Sequence, residues 1–165
     1  MTGKIIIVNN QLTTIYEPTV FTPLMDAIFS KNLDQVKELS NPETVNVKNN
    51  RGQSSLHLAC SYSNSETKEI IKVLLENKAD PNLREELGFT PLMLAVSTTI
   101  DSVEMLLKNG ANPNLINNYG GTALILAAYF STLRSSVEIV ECLLKNGADP
   151  NLNPDLKTAL FFCKK

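Results

Sequence analysis

A chain of 165 residues, 43% hydrophobic and 19% charged, has the composition of one globular domain with a sizeable core. Its net charge of −2 and isoelectric point near 5.4 exclude the basic face that phosphate backbones require, so nucleic acid is not an expected partner. No apolar run approaches the roughly 18 residues of a membrane span, so membrane insertion is not expected either. Cys60, Cys142 and Cys163 form no CxxC motif and leave one cysteine over. They read as reduced, packed thiols of an intracellular, cytoplasmic protein rather than a disulfide framework.

The first 21 residues carry two extended runs, "KIIIV" from Lys4 and "LTTIY" from Leu12. They predict an N-terminal extension lying as an extended strand along the first folded unit. "KIIIV" is too short for a secretory apolar region and has no small-residue cleavage site behind it.

From Thr22 the chain repeats itself. The openings are "TPLMDA" at Thr22, "SSLHLA" at Ser54, "TPLMLA" at Thr90, "TALILA" at Thr122 and "TALFFC" at Thr158. Thr or Ser supplies an N-cap hydroxyl, and Pro follows at a first helical position that needs no N–H. Leu and Ala at helical spacing then form a narrow apolar stripe. A second apolar helix follows in "IIKVLL" (Ile70–Leu75), "VEMLL" (Val103–Leu107) and "IVECLL" (Ile139–Leu144).

Each second helix runs into a turn, "NKADPN", "NGANPN" or "NGADPN". Gly110 and Gly147 fall where a helix ends through a left-handed residue, and Lys78 holds that place in the second unit, where strain or another cap is expected. Helices this short are marginal alone in water, so each pair must bury its faces against its neighbours. A period in the low thirties is the signature of such a solenoid. The units run about 22–53, 54–89, 90–121 and 122–157, with a partial fifth at 158–165. The first is degraded at its end, "ELSNPETVNV", and the second and fourth carry long turns, "SYSNSET" and "YFSTLRSS". The apolar "ALFF" of the partial fifth either tucks in as a half-cap or marks a longer stack.

These openings and turns, with Gly52, Gly88 and Gly120 before the openings, resemble the ankyrin repeat family over roughly 22–165. The resemblance implies an all-α solenoid of helix-turn-helix pairs joined by short β-hairpin loops. It implies a non-enzymatic module that binds another protein through a concave face of hairpin tips and inner helices. By register that face offers Arg51 and Gln53 on one hairpin, Arg84, Leu87 and Phe89 on the next, and Ile116, Asn118 and Tyr119 on the third. Tyr62, Tyr129 and Phe130 either join them or fold back onto their own repeats. Stand-alone proteins of this kind resemble inhibitors and adaptors, including those that viruses and intracellular bacteria use in host cytoplasm, acting as monomers. The alternative is the targeting segment of a larger enzyme or ubiquitin-ligase assembly. A third reading is a hydroxylation substrate, since Asn82, Asn114 and Asn151 resemble modified turn asparagines, although Pro precedes each.

No catalytic constellation competes with this reading. His57 is the only histidine and matches the family's inter-repeat histidine. There is no phosphate-loop motif and no metal-ligand spacing, so no cofactor or metal is expected.

Overall fold

The computed structural model describes residues 4–8, 11–15, 19–63, 65–130 and 136–152. The partial fifth unit and residues 131–135 of the long fourth turn lie outside them. β1 (Lys4–Val8) and β2 (Gln11–Ile15) pair with each other as an antiparallel hairpin, Lys4 opposite Ile15 and Val8 opposite Gln11. The two runs are therefore a hairpin rather than one extended strand.

The remaining elements among the described residues are helices. They are α1 (Pro23–Phe29), α2 (Leu33–Leu39), α3 (Ser55–Cys60), α4 (Thr67–Glu76), α5 (Pro91–Ala95), α6 (Ile100–Lys108), α7 (Ala123–Tyr129) and α8 (Ser136–Lys145). Successive helices pair, then each pair stacks on the next: α1, α3, α5 and α7 form an inner row, and α2, α4, α6 and α8 an outer row.

Local chemistry starts each inner helix. Thr22, Thr90 and Thr122 are extended N-caps whose hydroxyls accept from the N–H of Met25, Met93 and Ile125. Outer helices α2 and α6 are capped by the Asn32 amide oxygen and the Thr99 hydroxyl, which accept from the N–H of Gln35 and Ser102. The inner stripe of Leu24, Leu56, Leu92 and Leu124, with Ala27, Ala59, Ala95 and Ala127, is buried through the whole stack. Ile71, Leu74, Leu106, Ile139 and Leu143 bury the facing side of the outer row. Burying a Leu or Ile side chain is worth about 1.5–3 kcal/mol, which is what makes helices of five to ten residues persist here.

Outer-helix ends follow the sequence expectation. Gly110 and Gly147 have φ of 85° and 84°, and Lys78 takes the same left-handed backbone at 69°. The first unit ends differently. There the Ser40 and Thr44 hydroxyls donate to the carbonyls of Val36 and Leu39, satisfying a helix end that lacks glycine.

One asparagine per turn then ties each unit to the next. Asn46 Nδ2 donates to Lys78 O and its Oδ1 accepts from Asp80 N. Asn82 does the same with Gly110 O and Asn112 N, and Asn114 with Gly147 O and Asp149 N.

Candidate functional site

Among the described residues, three fingers project between the helix pairs, at Asn49–Gln53, Glu85–Phe89 and Asn117–Gly121. Each is closed by one N–H···O=C bond between those end residues, of 2.9, 3.0 and 2.9 Å. A side-chain oxygen at the first position clamps each loop from inside. Asn49 Oδ1 accepts from the N–H of Arg51 and Gln53, and Asn117 Oδ1 from those of Tyr119 and Gly121. In the middle finger a carboxylate does this work, Glu85 Oε1 accepting from Leu87 N and Phe89 N at 2.8 and 2.9 Å. Gly52, Gly88 and Gly120 turn the tips with φ between 72° and 80°, a backbone that side chains disfavour.

On these fingers, taking Ile116 at the base of the third, Leu87, Ile116 and Tyr119 are exposed by 37%, 38% and 51%. Phe89 is half-buried against the core, and its ring centroid lies 6.3 Å from that of Tyr119. Arg51 is exposed. Gln53 is half-buried, with Oε1 accepting from Asn49 Nδ2 at 3.0 Å. Arg84 and Asn118 are exposed, yet their side chains are engaged within the protein. Arg84 Nη2 donates to Ile116 O at 2.8 Å and to Asn118 Oδ1 at 3.3 Å. Asn118 Nδ2 donates to Glu86 O at 2.9 Å.

A second group sits at the C-terminal ends of the inner helices. Tyr129 and Phe130 are exposed and meet edge to face, centroids 5.3 Å apart. Tyr62 is half-buried against the core, and its ring meets that of Phe29 at 6.4 Å. Phe29, which the sequence reading passed over, is 59% exposed and also stacks on Phe21 at 5.9 Å. The repeat register contained the signal: Phe29 stands seven residues after Thr22, as Tyr129 does after Thr122, and Tyr62 and Phe130 fall one place on. Stacking brings Phe29 against Tyr62, and the third unit, with Ser97 and Thr98 at these positions, separates them from the Tyr129–Phe130 pair.

Among the described residues, the histidine and the two cysteines sit in environments that hold them uncharged. His57 is buried, and both ring nitrogens are taken. Nδ1 lies 2.8 Å from Ser54 Oγ, and Nε2 lies 3.1 Å from Phe89 O. A carbonyl can only accept, so Nε2 carries the proton and Nδ1 is the acceptor. Burial lowers its pKa from 6.5 to about 4, with the Lys48 charge adding to the fall and the Phe89 hydrogen bond opposing it. Burial likewise pushes the Cys60 and Cys142 thiols up, away from the reactive thiolate. What the fingers and inner-helix ends present instead is apolar and aromatic surface on a rigid frame.

No helix among the described residues is long and apolar enough to cross a membrane. A family model described as ankyrin repeats, in 3 copies, matches residues 24–117 and 63–154. Ankyrin repeats generally mediate protein–protein interaction.

Proposed function

This chain belongs to the ankyrin repeat family, and from that premise we propose that it grips one protein partner through its concave face, as a monomeric, non-enzymatic inhibitor or adaptor. The observation that carries the reading is the exposure of Leu87, Ile116 and Tyr119 on adjoining fingers, with Phe29, Tyr129 and Phe130 at the inner-helix ends. Aromatic residues anchor interfaces because they bury a large area with few rotatable bonds. The stack needs none of these side chains for its core. Arg51, Gln53, Phe89 and Tyr62 flank the same surface. The free thiols Cys60 and Cys142 fit a reducing, cytoplasmic setting. The long, divergent turns fit an effector of viral or intracellular-bacterial type.

The test is affinity capture from cell lysate, quantified with the purified partner. Leu87→Glu with Tyr119→Glu, and separately Phe29→Ala with Tyr129→Ala and Phe130→Ala, should each weaken binding by roughly 30-fold or more, the scale of a hot-spot loss. Glu138→Lys on the outer helix α8 should leave it unchanged. A partner held equally by both concave-face variants but lost with Glu138→Lys would overturn the reading.

A further inference from the structure

We propose that Arg84, acting with Asn118, is a positioning residue that locks the second and third of the three fingers into one preformed ridge, so that Leu87, Ile116 and Tyr119 meet a partner already ordered. The proposal rests on the reading that these tips contact a partner.

Arg84 stands immediately before Glu85, at the base of its finger. Its guanidinium crosses to the next finger and donates to Ile116 O at 2.8 Å and Asn118 Oδ1 at 3.3 Å. Asn118 answers in the opposite direction. Its Nδ2 donates to Glu86 O and its backbone N–H to Leu87 O, both at 2.9 Å. A guanidinium only donates and a carbonyl only accepts, so these neighbours fix which end of the Asn118 amide is which. The Arg84 carbonyl also accepts from Lys48 Nζ at 3.0 Å, which ties the first finger to the same residue.

Packing closes around this brace. A Cβ on Gly88 would lie 2.6 Å from Arg84 Nη2 and 2.7 Å from Asn118 Oδ1, so only glycine leaves it room. The first and second fingers share a single backbone bond, Glu86 N to Arg51 O at 3.2 Å, and no comparable side-chain loop among the described residues. Both bonds leave one nitrogen, Nη2, which stands one bond further out than a lysine ammonium and is aimed by the rigid guanidinium plane, so lysine falls short of the two acceptors. Ordering a recognition loop before binding removes a cost the complex would otherwise bear.

The experiment is amide hydrogen exchange and methyl order parameters by NMR on the full chain without partner, comparing wild type with Arg84→Ala and Arg84→Lys. In both variants the Asn118 amide should exchange roughly tenfold faster, the scale of one hydrogen bond. The Leu87 and Ile116 methyl order parameters should fall, while the Gly52 amide of the first finger is unmoved. Equal Asn118 exchange in all three proteins, or equal acceleration at Gly52, overturns the brace. Because no partner is present, that result is independent of whether the concave face binds anything. Where a partner is in hand, Arg84→Ala should weaken it by several fold. Loosened tips with unchanged affinity would overturn the positioning role and leave the binding face standing.

Discussion

His57 Nε2 lies 3.1 Å from the carbonyl oxygen of Phe89, 32 residues further along the chain. One side chain thereby joins two repeats and caps its own helix, since Nδ1 accepts from Ser54. The cap requires the neutral ring, because Nδ1 must accept, whereas the Nε2 bond to Phe89 would survive protonation and opposes the shift. Burial holds the folded pKa at about 4 against an ordinary 6.5, so the unfolded chain binds the proton first as pH falls. Stability from this group is complete above pH 6.5, declines through the window down to about 4, and is exhausted below it. The shift corresponds to about 3 kcal/mol. Urea unfolding of wild type and His57→Asn at pH 7 and pH 4.5 checks this. Wild type should lose more stability between the two pH values than the variant, whose carboxylates titrate equally. Parallel losses would show that His57 is not the sensor.

The turn asparagines form a ladder that should be worth more than their exposure implies. Asn82 makes two bonds to the next unit, Nδ2 to Gly110 O at 2.9 Å and Oδ1 from Asn112 N at 2.7 Å. Asn114 repeats both contacts one unit on. Asn82→Ala and Asn114→Ala should each cost about 1–2 kcal/mol, the net worth of two bonds partly screened by water. The two rungs flank the same helix pair, so the double variant should also broaden the unfolding transition as neighbouring repeats uncouple. Single variants within about 0.3 kcal/mol of wild type would reduce the ladder to surface decoration.

How much of this was legible follows from how local each feature is. The helix pairs could be read because Thr-Pro openings, Leu and Ala spacing and Gly110 or Gly147 each act within one turn of chain. Lys78 was legible too, since the phrase around it is spelled twice with glycine. Arg84 and Asn118 looked like free recognition groups because their acceptors lie 32 and 34 residues away, on a neighbour that only the stack brings alongside. Glu85 hid for a different reason: a carboxylate performs the clamp that Asn49 and Asn117 perform with an amide. The "VNV" turn concealed Asn46, which keeps its place in the ladder although the phrase around it has gone.

Lys78 and Gly110 offer a matched pair of backbone experiments. Both end an outer helix with positive φ, 69° and 85°. A Cβ on Gly110 would meet nothing within 4 Å, so Gly110→Ala isolates the conformational cost. It should destabilise by about 1 kcal/mol. Lys78→Gly should stabilise by about 0.5 kcal/mol, because relief of the left-handed backbone outweighs the greater freedom glycine gives the unfolded chain. The Asn46 bond to the carbonyl of residue 78 survives the change. Denaturant midpoints at constant slope decide the matter, and the same sign for both substitutions would contradict it.

Ser55 is where the second repeat falls short of its neighbours. It occupies the first helical position of α3, held by Pro23 in α1, Pro91 in α5 and Ala123 in α7. The residue is fully buried, and its hydroxyl finds no hydrogen-bond partner among the described residues. A desolvated hydroxyl left unpaired costs about 1–3 kcal/mol, so Ser55→Ala should stabilise the protein by about 1 kcal/mol. Ser55→Pro should do at least as well. Ser54 already has the extended backbone a following proline demands, with φ −89° and ψ 169°, and the N–H lost at this position is one a helix does not use. Ser54→Ala is the contrasting control and should destabilise, because that hydroxyl holds His57. Thermal melting separates the three. A lower midpoint for Ser55→Ala would mean that the hydroxyl is satisfied in solution by a bound water, and the second repeat would then be as well matched as the others.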